Sequence, residues 1–190
     1  AVARHAEALM PWLKQHIFPL EKQFKAATSR VQSRGFFEDL ARHGTTCAML
    51  YAAVFEDSAD AAFSAAEASG LRIILGKVMM DVGSYGSLAP EKIPDQSCAE
   101  SESLCRKWNG RDGGRLEYAF SPRFAVSCSG ELMRRAGELA QKHGAYVQTH
   151  LSENTAVVAL VKSLFPDRAS YTDVYAHYGL LGPKTMLGHC

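Results

Sequence analysis

What most constrains this chain is a repeated alternation that begins near Thr28: a segment of helical periodicity, a glycine, a short β-branched or apolar run, a polar turn, then another helix. Apolar residues three to four apart mark one face of a helix, and short apolar runs bounded by glycine and polar turns mark buried strands. Helix and strand in succession imply βαβ units and a parallel sheet. A helix is expected over 31–42, with Thr28 or Ser29 able to cap its amides and Gly44 placed for a left-handed stop. A strand follows over 45–51, a helix over 57–67 closed by Gly70, and a strand over 71–80. Residues 81–96, with two glycines and two prolines, read as a long loop. A short helix over 99–108 and a turn over 109–114 lead to a third strand, 116–122. Ser129 can cap a helix over 130–143 that Gly144 closes, and a fourth strand covers 145–150. Helices over 154–165 and 172–178 precede a fifth strand, 184–189. Ahead of all this, residues 3–24 form an apolar-rich helical segment interrupted by Pro11 and Pro19, expected to fold over one end of the sheet.

Parallel strands with helices between them fit an open doubly wound sheet or part of a (β/α)8 barrel, and periodicity alone does not choose. An open sheet of the nucleotide-binding kind would carry a glycine-rich first turn, and no Gly-x-Gly-x-x-Gly or P-loop is present. A barrel would place chemically able residues at the carboxyl ends of successive strands. They stand there: Ser121-Pro122-Arg123-Phe124 after strand three, Thr149-His150-Leu151-Ser152-Glu153 after strand four, and Gly188-His189 after strand five.

Composition narrows the function. The 190 residues, 47% hydrophobic and 22% charged, are those of an ordinary soluble domain. Lys plus Arg number 21 against 20 acids, so a net charge of +1 offers no attraction to nucleic acid or an anionic membrane. No apolar run approaches the roughly 20 residues of a membrane span. The start has no basic segment followed by an apolar one and no initiator methionine, as expected of an internal cut rather than a targeting signal. The five cysteines, Cys47, Cys98, Cys105, Cys128 and Cys190, are odd in number and scattered, which suits a reduced, cytoplasmic chain. Without Cys-x-x-Cys or a Cys/His cluster, a structural zinc module is not expected.

His150 and Glu153 form the strongest pair. A histidine at a strand end can hold a divalent cation, and a carboxylate three residues on can face the water that the cation activates. The bland alternative is a half-buried strand histidine and a carboxylate favoured by a helix N-terminus. Arg123 could likewise be a surface arginine packed on Phe124, and His189 alone needs no role. His5, His16, His43 and His177 read as solvated, and His143 as a cation beside a helix C-terminus.

Together these segments resemble the guanine deaminases, metal-dependent purine deaminases of the amidohydrolase superfamily. The resemblance is carried by the nine residues from Ser121 to Ser129, by Gln148-Thr149-His150-Leu151-Ser152-Glu153-Asn154, by Ser170-Tyr171-Thr172-Asp173-Val174-Tyr175 and by Leu187-Gly188-His189. Weaker likeness lies in Pro11-Trp12-Leu13, His43-Gly44-Thr45-Thr46 and Gly76-Lys77-Val78-Met79-Met80-Asp81. It implies an α/β fold, a partial (β/α)8 TIM-type barrel holding about strands 2 to 6. It implies His150 as a zinc ligand, Glu153 as proton shuttle, His189 as the sixth-strand histidine near the metal, and Arg123 with Phe124 as the pair recognising the purine. The implied reaction is addition of a metal-activated water to the amino-bearing carbon of guanine, giving xanthine and ammonia. Another purine, pyrimidine or triazine ring, or a non-catalytic barrel scaffold, are the alternatives.

The family also needs a His-x-His pair on its first strand and an aspartate on its eighth, and no His-x-His occurs here. Residues 1–190 are therefore expected to be a fragment of the barrel domain, inactive alone and a poor zinc binder. Uncovered sheet edges would invite association with another copy.

Overall fold

The computed structural model describes residues 8–84 and 88–190. Six strands, β1 (Cys47–Tyr51), β2 (Arg72–Gly76), β3 (Val78–Met79), β4 (Leu116–Pro122), β5 (Tyr146–His150) and β6 (Thr185–Gly188), form one parallel sheet. The order is β1-β2-β4-β5-β6, with β3 paired to the end of β4. The expected strand over 71–80 is thus broken at Lys77. Its ammonium is buried, 3.1 Å from Glu100, and donates to Val54 O (3.2 Å) and Ser97 Oγ (3.3 Å). The ladder is interrupted at this residue, whose burial lowers its pKa while Glu100 opposes the shift.

Except between β2 and β3, which Lys77 alone separates, the chain returns through helices: α4 (Glu56–Ser69), α5 (Ile93–Trp108) with the turn α6 (Arg111–Gly114), in which Asp112 and Gly113 are left-handed, α7 (Gly130–His143), α8 (Thr155–Leu164) and α9 (Tyr171–His177). Ser129, Asn154 and Ser170 cap α7, α8 and α9 by accepting backbone amides, and Gly70 and Gly144 take the left-handed conformation that ends α4 and α7. Helix α5 starts well before the expected 99, because Pro94 falls in the first turn, where proline lacks no bond that the helix needs. The loop before it shrinks accordingly.

Helix α3 (Ala26–Arg42) begins earlier than expected, at an N-cap of Lys25 with no side-chain cap. Ser29 is instead buried inside it, its hydroxyl 2.6 Å from that of Ser58 where α3 packs on α4. The prolines of 8–24 do not interrupt that segment: α1 (Leu9–Trp12), a π-helical turn (Leu13–Ile17) and α2 (Phe18–Glu21) run on from one another, with Pro19 in the first turn of α2. His5 lies outside the described residues, as do Tyr85, Gly86 and Ser87 of the loop.

One core unites the sheet and its helices, with Phe63 of α4 stacked on Trp108 of α5 (centroids 5.1 Å) and on Tyr118 of β4 (6.0 Å). Burying such a ring contributes about 1.5–3 kcal/mol. The sheet is curled. Gln148 of β5 donates 2.8 Å to Leu50 O of β1, across the concave face and past two intervening strands, and 2.8 Å to Ser121 Oγ of β4. The architecture is a partial barrel whose strands all point their carboxyl ends one way.

Candidate active site

At those carboxyl ends, the segment after β4 and the last residue of β5 are locked together. His150 Nδ1 lies 2.7 Å from Arg123 O, a carbonyl that can only accept, so Nδ1 carries the proton and Nε2 keeps a free lone pair. The same carbonyl accepts the His150 amide (3.2 Å). This is the orientation that fixes a histidine as a metal ligand. Burial, foremost, lowers the His150 pKa; the hydrogen bond to the Arg123 carbonyl opposes that shift and the Arg123 charge adds to it, the net direction favouring the neutral imidazole that ligation requires. Its ring stacks on Tyr51 at the end of β1 (4.7 Å) and on His189 just past β6 (5.6 Å).

Glu153 and His189 approach each other at 3.9 Å, too far for a hydrogen bond. Both are reached through strained backbone: Ser152 (φ 59°) and His189 (φ 68°) sit in the left-handed region that residues with a Cβ disfavour. Such strain at strand ends is common at functional sites. Among the described residues, no group of three or more His, Cys, Asp or Glu is placed to hold a metal.

Arg123 is 9% exposed, not the surface residue of the bland reading. Its guanidinium makes a bidentate pair with Glu21 (2.8 and 3.1 Å) and lies over the Phe18 ring at 5.0 Å, not over Phe124. Phe124 is buried in the core. It does not line the open cavity of about 550 Å3 that Arg123, His150, Tyr51 and Glu21 share. Phe124 therefore backs the strand end from within. Beyond the rim, His143 is held 2.8 Å from Glu102 rather than left to the helix terminus alone.

A model of the Amidohydrolase family matches residues 2–190. The chain belongs to the amidohydrolase family. This amidohydrolase is 40% identical to the guanine deaminase of Escherichia coli (strain K12) over 194 residues, covering 100% of this chain and 43% of that protein. The solved E. coli guanine deaminase superposes with a TM-score of 0.89 at 39% identity, covering 100% of this chain and 43% of that one. Guanine deaminase from C. acetobutylicum, solved with guanine bound in its active site, gives 0.89 at 34% identity, covering 96% and 43%. The amidohydrolase chain thus spans less than half the length of these relatives.

Three residues around the site escaped sequence reasoning. Glu21 stands 102 positions before Arg123 in the chain, and no local pattern links them. Tyr51 read only as the end of a strand. Tyr175 lay in the Ser-Tyr-Thr-Asp-Val-Tyr segment that carried the resemblance, without a physical reason. Its hydroxyl donates to His150 O (2.6 Å) and accepts from Ala125 N (3.2 Å), tying the two strand ends from below.

Proposed function

We propose that this rim is part of a guanine deaminase site, which hydrolyses guanine to xanthine and ammonia. The observation that supports the reading is one junction between neighbouring strand ends: the carbonyl of Arg123, just past β4, orients the imidazole of His150 at the end of β5, so a guanidinium and an oriented imidazole stand side by side at one rim. Likeness to guanine deaminases at 40% identity supports the substrate.

The donors fit one side of a zinc site. His150 Nε2 would be a firm ligand, with His189 beside it, and zinc would supply an activated water. Two imidazoles fall short of the three protein ligands that a catalytic zinc commonly has. Further ligands, a His-x-His pair and an aspartate, belong on this proposal to the part of the enzyme that residues 1–190 do not include.

Glu153 accepts the proton of the attacking water and delivers it to the departing nitrogen. Arg123 donates to the ring carbonyl of guanine, while Phe124, buried and outside the cavity, backs the strand end that carries Arg123 and does not itself meet the ring. The five unpaired cysteines support a reducing, cytoplasmic location, burial pushing the Cys105 and Cys128 thiols up to about 12. The free edges of β1 and β6 are where a second copy of the fragment would pair.

The test is turnover by the protein extended to the length of its relatives, given guanine and a panel of other purine, pyrimidine and triazine rings. Xanthine and ammonia are expected from guanine, with Glu153→Gln slower by about 10²–10⁴-fold. Guanine left intact while another ring is hydrolysed would overturn the substrate assignment.

A further inference from the structure

We propose that Glu21 is a positioning and specificity residue: it neutralises Arg123 and aims it, so that the recognition site takes a neutral ring carbonyl and rejects an anionic group at the same place. This inference rests on the guanine reading above. The Arg123 side chain is 11% exposed and that of Glu21 22%, so the two charges meet largely away from water. A guanidinium taken out of water without a counter-charge is strongly disfavoured. Glu21 supplies the counter-charge before any ligand arrives, through two contacts of 2.8 and 3.1 Å to the two terminal nitrogens.

An end-on bidentate pair uses two of the five N–H groups of arginine and leaves the others to donate. The Phe18 face beneath the guanidinium holds its plane, and Glu21, Arg123 and His150 all open on the same cavity. What the cavity presents is an Arg123–Glu21 pair of nearly zero net charge whose remaining N–H groups still donate. A neutral carbonyl loses nothing by this, whereas a carboxylate would face Glu21 without the benefit of a free cation.

The experiment is carried out on the protein extended to the length of its relatives. It compares the wild type with Glu21→Gln and Glu21→Asp, using guanine as substrate and, as inhibitor, a purine bearing a carboxylate where guanine carries its ring carbonyl. For Glu21→Gln, KM for guanine is expected to rise on the order of tenfold with kcat nearly unchanged, because binding to Arg123 is disordered while Glu153 is untouched. The anionic inhibitor should bind tighter by a similar factor. Glu21→Asp keeps the charge and should return the ratio of the two affinities towards that of the wild type, even if both variants unfold at a lower temperature. An unchanged ratio in Glu21→Gln, or a ratio in Glu21→Asp that matches Glu21→Gln, would overturn the proposal. A wild type that leaves guanine untouched overturns the substrate reading and this inference with it.

Discussion

A single oxygen, the carbonyl of Arg123, organises the candidate site at the scale of residues. It receives His150 Nδ1 and the His150 amide, and the Tyr175 hydroxyl takes the next carbonyl, that of His150. The Tyr175 side chain is fully buried, so its removal leaves polar groups without water to replace it. Tyr175→Phe should therefore cost about 1–3 kcal/mol, read as a lower urea midpoint with an unchanged slope. An unaltered midpoint would mean that Ala125 N and His150 O find other partners. His150 was legible as a candidate because its chemistry and its strand-end position coincide in the sequence. Glu21 was not, since nothing local marks a salt bridge that closes over 102 positions.

At the scale of elements, capping residues and left-handed glycines wrote most boundaries into the sequence: Ser129 and Gly144 bracket α7 as expected. Periodicity missed where a side chain leaves the regular pattern. Lys77 looked like one more residue of a long strand, yet β2 and β3 part at this residue, whose ammonium is buried against Glu100, a partner that no local pattern announces. Pro94 looked like loop punctuation, although it opens α5. Close packing adds a constraint that no pattern reveals. A Cβ on Gly76 would collide with Ser121 Oγ and with the backbone oxygen of Ala119, which cannot move aside without disturbing β4. Gly76→Ala is expected to cost about 3 kcal/mol, lowering Tm by roughly 6–12 °C. Gly35→Ala, where a Cβ meets nothing within 4 Å on a helix, should instead raise stability by about 0.5–1 kcal/mol. Equal Tm shifts in the two variants would contradict this packing.

At the scale of the whole molecule, the parallel order β1-β2-β4-β5-β6 and the cross-sheet bond from Gln148 to Leu50 describe a barrel that curls without closing. The alternation of helix and strand foretold the parallel sheet, and the placement of Arg123, His150 and His189 at strand ends favoured barrel over open sheet. The curl itself was not legible, because it depends on contacts between strands far apart in the chain. The rim of this partial barrel gathers two imidazoles and a carboxylate, His150, His189 and Glu153, on one arc. The deciding measurement is xanthine formation from guanine, with zinc supplied, by residues 1–190 alone and by the protein extended to its relatives' length. Xanthine is expected from the extended protein and none from the 190-residue chain. Xanthine from the 190-residue chain alone, or none from the extended protein, would contradict it.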